Sequence, residues 1–242
     1  MDINVRGPSY IDLGGGIKLS ATLVIGWILI IAAFFFCRWL TKDLKVVPTT
    51  KRQAVAEWMV SFMNNLVDEN VGVGRSFYAP YMATIFMFAL VGALVSFFGI
   101  RSMTVDINVT GTWAVMSFIL ITYNKIDANG FKGYLKGLAS PPILTPFNII
   151  GEIATPLSMA LRMFGNMAGG MIISTMLYAA LGLASSAIYN LIGFEADTYY
   201  FSFLQVGIPA VLSIYFDIFS GVMQSYVFIM LTMANIKNGR EG

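Results

Sequence analysis

Apolar residues fall into long blocks divided by short polar connectors. The first block runs from Leu19 to Cys37 and is closed by Arg38, Lys42 and Lys45, the second from Phe77 to Ile100, and a shorter third from about Val109 to Tyr123. A membrane-crossing helix needs ~20 mainly apolar residues, so spans are predicted over 19–40, 77–100 and 109–123. The last two blocks are longer: 143–185 holds 43 residues with two charges, and 201–236 holds 36 with one. As straight helices they would reach ~65 and ~54 Å, against a hydrocarbon core of ~30 Å. Such lengths demand strong tilt or a break, and Pro146, Pro156 and Pro209 offer kink sites. Residues 51–70 read differently. Val55, Trp58, Met59, Phe62, Leu66 and Val67 recur at helical spacing, with Gln53, Glu57, Ser61, Asn64 and Asn65 opposite. This is an amphipathic helix lying in the membrane interface, or else packed on the membrane domain as a loop helix. The predicted fold is an all-α integral membrane protein forming a single domain over 1–242, with five membrane-embedded helices and one interfacial helix.

Composition narrows the function. Of the 242 residues 57% are hydrophobic and 12% charged, where a soluble domain carries ~25% charged; the mean hydropathy is +0.73. A soluble enzyme, a disordered chain and a collagen-like fibre are excluded. A net charge of +2 gives no reason to expect a nucleic-acid partner. One cysteine, Cys37, leaves no intrachain disulfide and no cysteine-based metal site, and the absence of histidine passes any proton work to carboxylates. No Gly-rich phosphate-binding motif ending in Lys-Ser/Thr occurs, so no catalytic residue, cofactor or metal is assigned. The basic residues follow the first apolar block instead of preceding it, which reads as a retained anchor and not a cleaved leader. With five spans and the N-terminus outside, the inside segments hold eleven Lys and Arg and the outside ones only Arg6, Lys18 and Arg101. The positive-inside rule then sets the N-terminus outside and the C-terminus in the cytoplasm.

Three charges break the long apolar blocks: Glu152, Arg162 and Asp217. Each costs ~2.5–3.5 kcal/mol at mid-membrane, and such residues mark ion paths by default; the alternative is an ion pair fastening two helices. Arg162 and Asn166 share a helix face, and arginine stays charged through any proton cycle. Gly165 and Gly169 form a G-x-x-x-G beside them, with Ala168 and Gly170 adding small surface. Such a stripe lets another helix approach closely, within the chain or from a partner. Asp217 and Gln224, seven apart, make a polar stripe on the last block, open to reading as a hydrogen-bonded seam or an ion path. Pro156 leaves the face of Glu152 undetermined.

The run Pro156-Leu-Ser-Met-Ala-Leu-Arg162-Met-Phe-Gly-Asn166-Met resembles the signature of subunit a of the F-type ATP synthase. Val105-Asp-Ile-Asn-Val-Thr110 is similar to the family's segment before a short helix, and Gln224 to Met233 to its C-terminal run. The resemblance covers nearly the whole chain from about residue 19. It implies a stator ion-channel subunit whose last two helices tilt against a ring of c subunits, with two offset half-channels for H+ or Na+. It further implies peripheral-stalk b subunits, other membrane-sector subunits and lipids as partners, and a bacterial inner membrane location. Arg162 matches the family's essential arginine, and Asn166 and Gln224 match polar positions near it. Glu152 and Asp217 match positions of the outer access path, while Gly165, Ala168, Gly169 and Gly170 are the small residues expected to face the ring. Three positions depart from the family pattern. Met163 follows the arginine where leucine is usual, Met171 stands where many bacterial members carry glutamate, and Asp217 where many carry histidine. Two other classes compete: a secondary transporter with a site at Arg162 and Glu152, for which no second structural half is seen, and a structural membrane scaffold.

Overall fold

A computed structural model describes residues 10–12, 18–46, 50–97, 102–192 and 214–241. The chain opens with a feature the apolar pattern does not predict, an antiparallel hairpin of β1 (Tyr10–Asp12) and β2 (Lys18–Ser20) in the register Tyr10↔Ser20, Ile11↔Leu19, Asp12↔Lys18. Among the described residues six α-helices follow: α1 (Ala21–Leu40), α2 (Lys51–Asn70), α3 (Ala79–Phe97), α4 (Ile107–Ala139), α5 (Thr145–Ile192) and α6 (Ser220–Glu241). Short 3₁₀ turns at Ser76–Tyr78, Met103–Val105 and Pro142–Leu144 lead into α3, α4 and α5. A π-helical turn, Ile214–Phe219, leads directly into α6.

The predicted spans find α1, α3 and α5, and the bounds of α2 agree with 51–70. Among the described helices, three are long and apolar enough to cross a membrane, over Ala21–Leu40, Ser76–Val95 and Pro142–Ile188. The third predicted span, 109–123, is only the first half of α4. Helical turns continue past the apolar run through Lys125, Asp127, Lys132 and Lys136 to Ala139, bent at Gly130. That residue sits at φ 70°, ψ 159°, a conformation open to glycine and strained for other residues. The extension escapes an apolar count because it is amphipathic. Of the predicted last block, residues 201–213 lie outside the described residues.

Side chains from five helices build the core: Met63, Leu66 and Val67 of α2, Met82, Ile85 and Ala89 of α3, Ala114 and Ile121 of α4, Met159 and Met163 of α5, and Phe228, Ile229, Met233 and Ile236 of α6. Only part of the apolar face expected for α2 is buried in it. Val55, Trp58, Met59 and Phe62 stay exposed, with Trp58 stacked on Phe62, whereas Gln53 turns inward and hydrogen-bonds the backbone of Lys45. The block from Val105 to Thr110 acquires a structural role. Asp106 Oδ1 accepts from the Asn108 backbone N–H at 3.0 Å, capping the otherwise unpaired start of α4. Asp106 Oδ2 accepts from the Thr22 hydroxyl at 2.7 Å, tying that cap to the start of α1. At Gly221 the approach of α6 to α3 is close enough that a Cβ would collide with Ala93 and with the Met167 side chain, at 2.9 Å from the latter.

Candidate functional site

Helix α5 has two faces of opposite character. Met159, Met163 and Met167 recur at four-residue intervals and are buried. A third of a turn away, Ser158, Leu161, Arg162 and Gly165 are exposed. A Cβ added at Gly165 or at Gly169 would meet nothing within 4 Å. Among the described residues, then, no other helix comes into contact with the G-x-x-x-G at Gly165 or Gly169. Of the other two small residues, Ala168 packs against the cluster of Ala93, Val105 and Met167, and Gly170 is buried. Arg162 makes no ion pair among the described residues.

Asn166, one turn beyond Arg162, donates its Nδ2 hydrogen to Gln224 Oε1 at 2.6 Å. Residues 58 apart in sequence thus join α5 to α6 beside the cation. Gln224 is buried and Asn166 exposed, so the amide pair runs from the helix interface out to the surface that carries Arg162. Asp217 falls within the π-helical turn, and its side chain lies outside what the structure describes. That turn closes with i→i+5 hydrogen bonds, so the two-turn spacing of a regular α-helix does not carry over from Gln224 to Asp217.

Glu152 has a counter-ion the sequence did not reveal. Lys125 Nζ donates to both its carboxylate oxygens, at 2.7 and 2.8 Å, and the Tyr134 hydroxyl donates to Oε1 at 3.3 Å. Burial pushes the Tyr134 phenol above its ordinary value, and the charge and hydrogen bond of Glu152 push it further the same way, so it stays a donor at neutral pH. Pro156 has no N–H for the Glu152 carbonyl, which leaves α5 free to bend at this turn. The cluster sits at the end of the bundle where α6 finishes: Arg240 bonds Asn124 and Asp127 at 3.2 Å, and Tyr78 donates to Asn124. Glu152 therefore shares an end with the C-terminus and with Lys125, Lys132 and Lys136. The charge rule applied to the sequence sets that end in the cytoplasm, opposite to the outer position that the family resemblance implies for Glu152. Lys125 was hidden because, two residues past an apolar run, it reads as an ordinary flanking cation.

Long apolar helices and a permanent cation left outward on one of them define a class: a helical membrane protein of ion transport. Comparison with known proteins makes this particular. Residues 23–237 match the family described as ATP synthase A chain. The subunit a named as sodium ion specific from Propionigenium modestum is 34% identical over 239 residues, covering 92% of this chain and 74% of that one. ATP synthase subunit a of Oceanobacillus iheyensis is 32% identical, covering 91% and 89%, and that of Moorella thermoacetica 29%, covering 94% of each. The chain belongs to the ATP synthase subunit a family, the membrane-embedded ion-transport component of that complex in bacterial membranes.

Proposed function

We propose that the chain is the stator ion channel of an F-type ATP synthase, working with a ring of c subunits each carrying a mid-membrane carboxylate. The observation that carries this is the outward face of α5, where Arg162 stands beside two glycines with open space before them. A guanidinium facing hydrocarbon would cost ~2.5–3.5 kcal/mol, whereas a carboxylate opposite turns that cost into a charge-assisted pair. Glycines at 165 and 169 let a ring helix come close enough to form it. As a ring carboxylate arrives, the fixed cation favours its ionised form and displaces the bound H+ or Na+. It also blocks direct passage between two half-channels offset on either side. Asn166 and Gln224 supply the polar step next to the cation, Asp217 an acid in one half-channel, and Glu152, with Lys125, a polar cluster at the mouth of the other.

In this reading five helices are embedded in the membrane, the N-terminus lies outside and the C-terminus in the cytoplasm, and b subunits of the peripheral stalk complete the assembly. The chain catalyses no bond change and holds no cofactor of its own; ATP chemistry belongs to partner subunits, and the ion is its cargo. The name of the Propionigenium modestum relative brings Na+ forward as the ion to test first, by the Na+ dependence of ATP hydrolysis in the intact complex.

The deciding experiment is Arg162→Ala in the assembled complex. ATP-driven ion pumping into inverted membrane vesicles is expected to vanish while the complex still assembles on a native gel. Pumping at the unaltered rate would refute the stator reading. A scaffold role predicts instead that replacing Arg162 and Asp217 together with apolar residues keeps transport, and a secondary transporter would move ions as the purified chain alone.

A further inference from the structure

Helix α1 makes its main contacts only at its two ends, with β2 and the Met103–Val105 turn at one and with α2 at the other. Between its middle and α3 it leaves a cavity of about 430 Å³ lined by Leu29, Ala33 and Phe36 of α1 and by Met87, Phe88 and Val91 of α3. No polar side chain lines it. One end of this cavity leads to positive charge through a continuous aromatic stack. Phe36, on the wall, stacks with Trp39 at 6.2 Å between ring centroids. The guanidinium of Arg52, from the first turn of α2, lies over the Trp39 ring at 5.3 Å. In sequence Arg38, Lys42, Lys45 and Lys51 flank it, so the stretch 38–57 carries five cations against two acids, Asp43 and Glu57. Glu57 is engaged by the Gln53 amide at 2.7 Å, and Arg52 has no carboxylate partner among the described residues.

We infer that the cavity between α1 and α3 is a binding site for one acyl chain of an anionic phospholipid, whose phosphate headgroup rests on Arg52 and its basic neighbours. Size separates this occupant from a partner's transmembrane helix. A helix is ~10–12 Å across with its side chains and rises 1.5 Å per residue, so 430 Å³ would hold only about three of its residues, whereas an acyl chain is a thin flexible rod. Charge separates it from a neutral lipid. A cluster of four to eight Lys and Arg next to a membrane helix selects anionic headgroups, by about fivefold for each cation brought to the surface. Trp39 sits between wall and charge, at the headgroup level where such amphipathic rings gather. The site is independent of the ring-facing surface of α5 and would exist whatever the chain transports.

The test uses the assembled complex reconstituted in vesicles of mixed phosphatidylcholine and phosphatidylglycerol. Each preparation carries a trace of lipid with a photoreactive diazirine in one acyl chain and one headgroup or the other, and labelled peptides are mapped by mass spectrometry. The phosphatidylglycerol probe is expected to label Phe36, Met87 and Phe88 several-fold over the outer-face Ile31 and Phe34, and the phosphatidylcholine probe to label all of them alike. Arg52→Gln leaves the groove intact and should lower the phosphatidylglycerol labelling about fivefold. Ala33→Phe fills the groove and should remove the labelling of Met87 and Phe88 with either probe. Equal labelling by the two probes in the unaltered complex would overturn the inference. So would groove labelling no stronger than that of the outer face, or a groove left unlabelled because a partner helix crosslinks there instead.

Discussion

Replacing Gly165 with leucine separates the ring-facing role of α5 from its structural role. A Cβ at this position meets nothing within 4 Å, so the added side chain starts into open space and strains no contact among the described residues. Within the helix the change is favourable, since glycine is ~0.8–1.0 kcal/mol poorer than alanine in a helix interior and leucine is close to alanine. Subunit a should therefore accumulate in membranes at or above its normal level. Against a ring the consequence reverses. Helix axes pack 8–10 Å apart depending on the side chains between them, so leucine in place of glycine holds the two helices apart by about 2 Å. If Arg162 and a ring carboxylate approach to about 4 Å, their attraction at an effective dielectric of 20 is about 4 kcal/mol, falling to about 2.8 kcal/mol at about 6 Å. The lost ~1.2–1.4 kcal/mol corresponds to roughly a tenfold fall in the rate of a step that depends on the pair. The assay is the initial rate of ATP-driven pumping in inverted vesicles, normalised to subunit a on an immunoblot. Unchanged pumping with normal accumulation would refute the reasoning, because it would mean that nothing approaches this face.

Gly221→Ala provides the opposite case, with a Cβ driven into Ala93 and Met167. Overpacking of that kind costs about 1–3 kcal/mol, so the subunit should be lost from membranes at raised growth temperature, which an immunoblot reads. Lys125→Met removes the counter-ion of a half-buried carboxylate and should destabilise by about 2–3 kcal/mol, somewhat below the 3–5 kcal/mol of fully buried pairs. The double variant Lys125→Met, Glu152→Gln should recover much of it in thermal inactivation of the complex; silent single variants would show that the pair carries no weight. Asp106→Ala deletes a helix cap and should cost about 1 kcal/mol with no selective effect on pumping, measured as ATPase coupling at permissive temperature. Asp217→Asn should cut pumping and synthesis if this acid serves a half-channel, and full activity in both directions would remove Asp217 from the path.

The class of this protein was legible from sequence because hydrophobic runs are local. A stretch long and apolar enough to cross a membrane declares itself without reference to any neighbour, and so do the bounds of α2, whose polar and apolar residues alternate at helical spacing. Arg162 stood out for the same reason: a charge in a long apolar run is improbable without a use. The amphipathic second half of α4 did not, because Lys125 to Lys136 carry too much charge for an apolar count and their pairing is non-local. Periodicity also shows which residues share a face, but not what that face meets. Gly165, Gly169 and Gly221 are one residue type in apolar helices, yet the first two stand before open space and the third lies against Ala93. Asn166 and Gln224 were each marked as polar, and their hydrogen bond across 58 residues exists only because α5 and α6 are neighbours. The Val105–Thr110 block, matched as a motif, proved to be a helix cap clasped to Thr22. The chain by itself determined a membrane-spanning helical protein with one misplaced cation. Tertiary structure alone decided which side of that cation is closed by its own helices and which is open, since burial belongs to the arrangement of elements and not to any one of them.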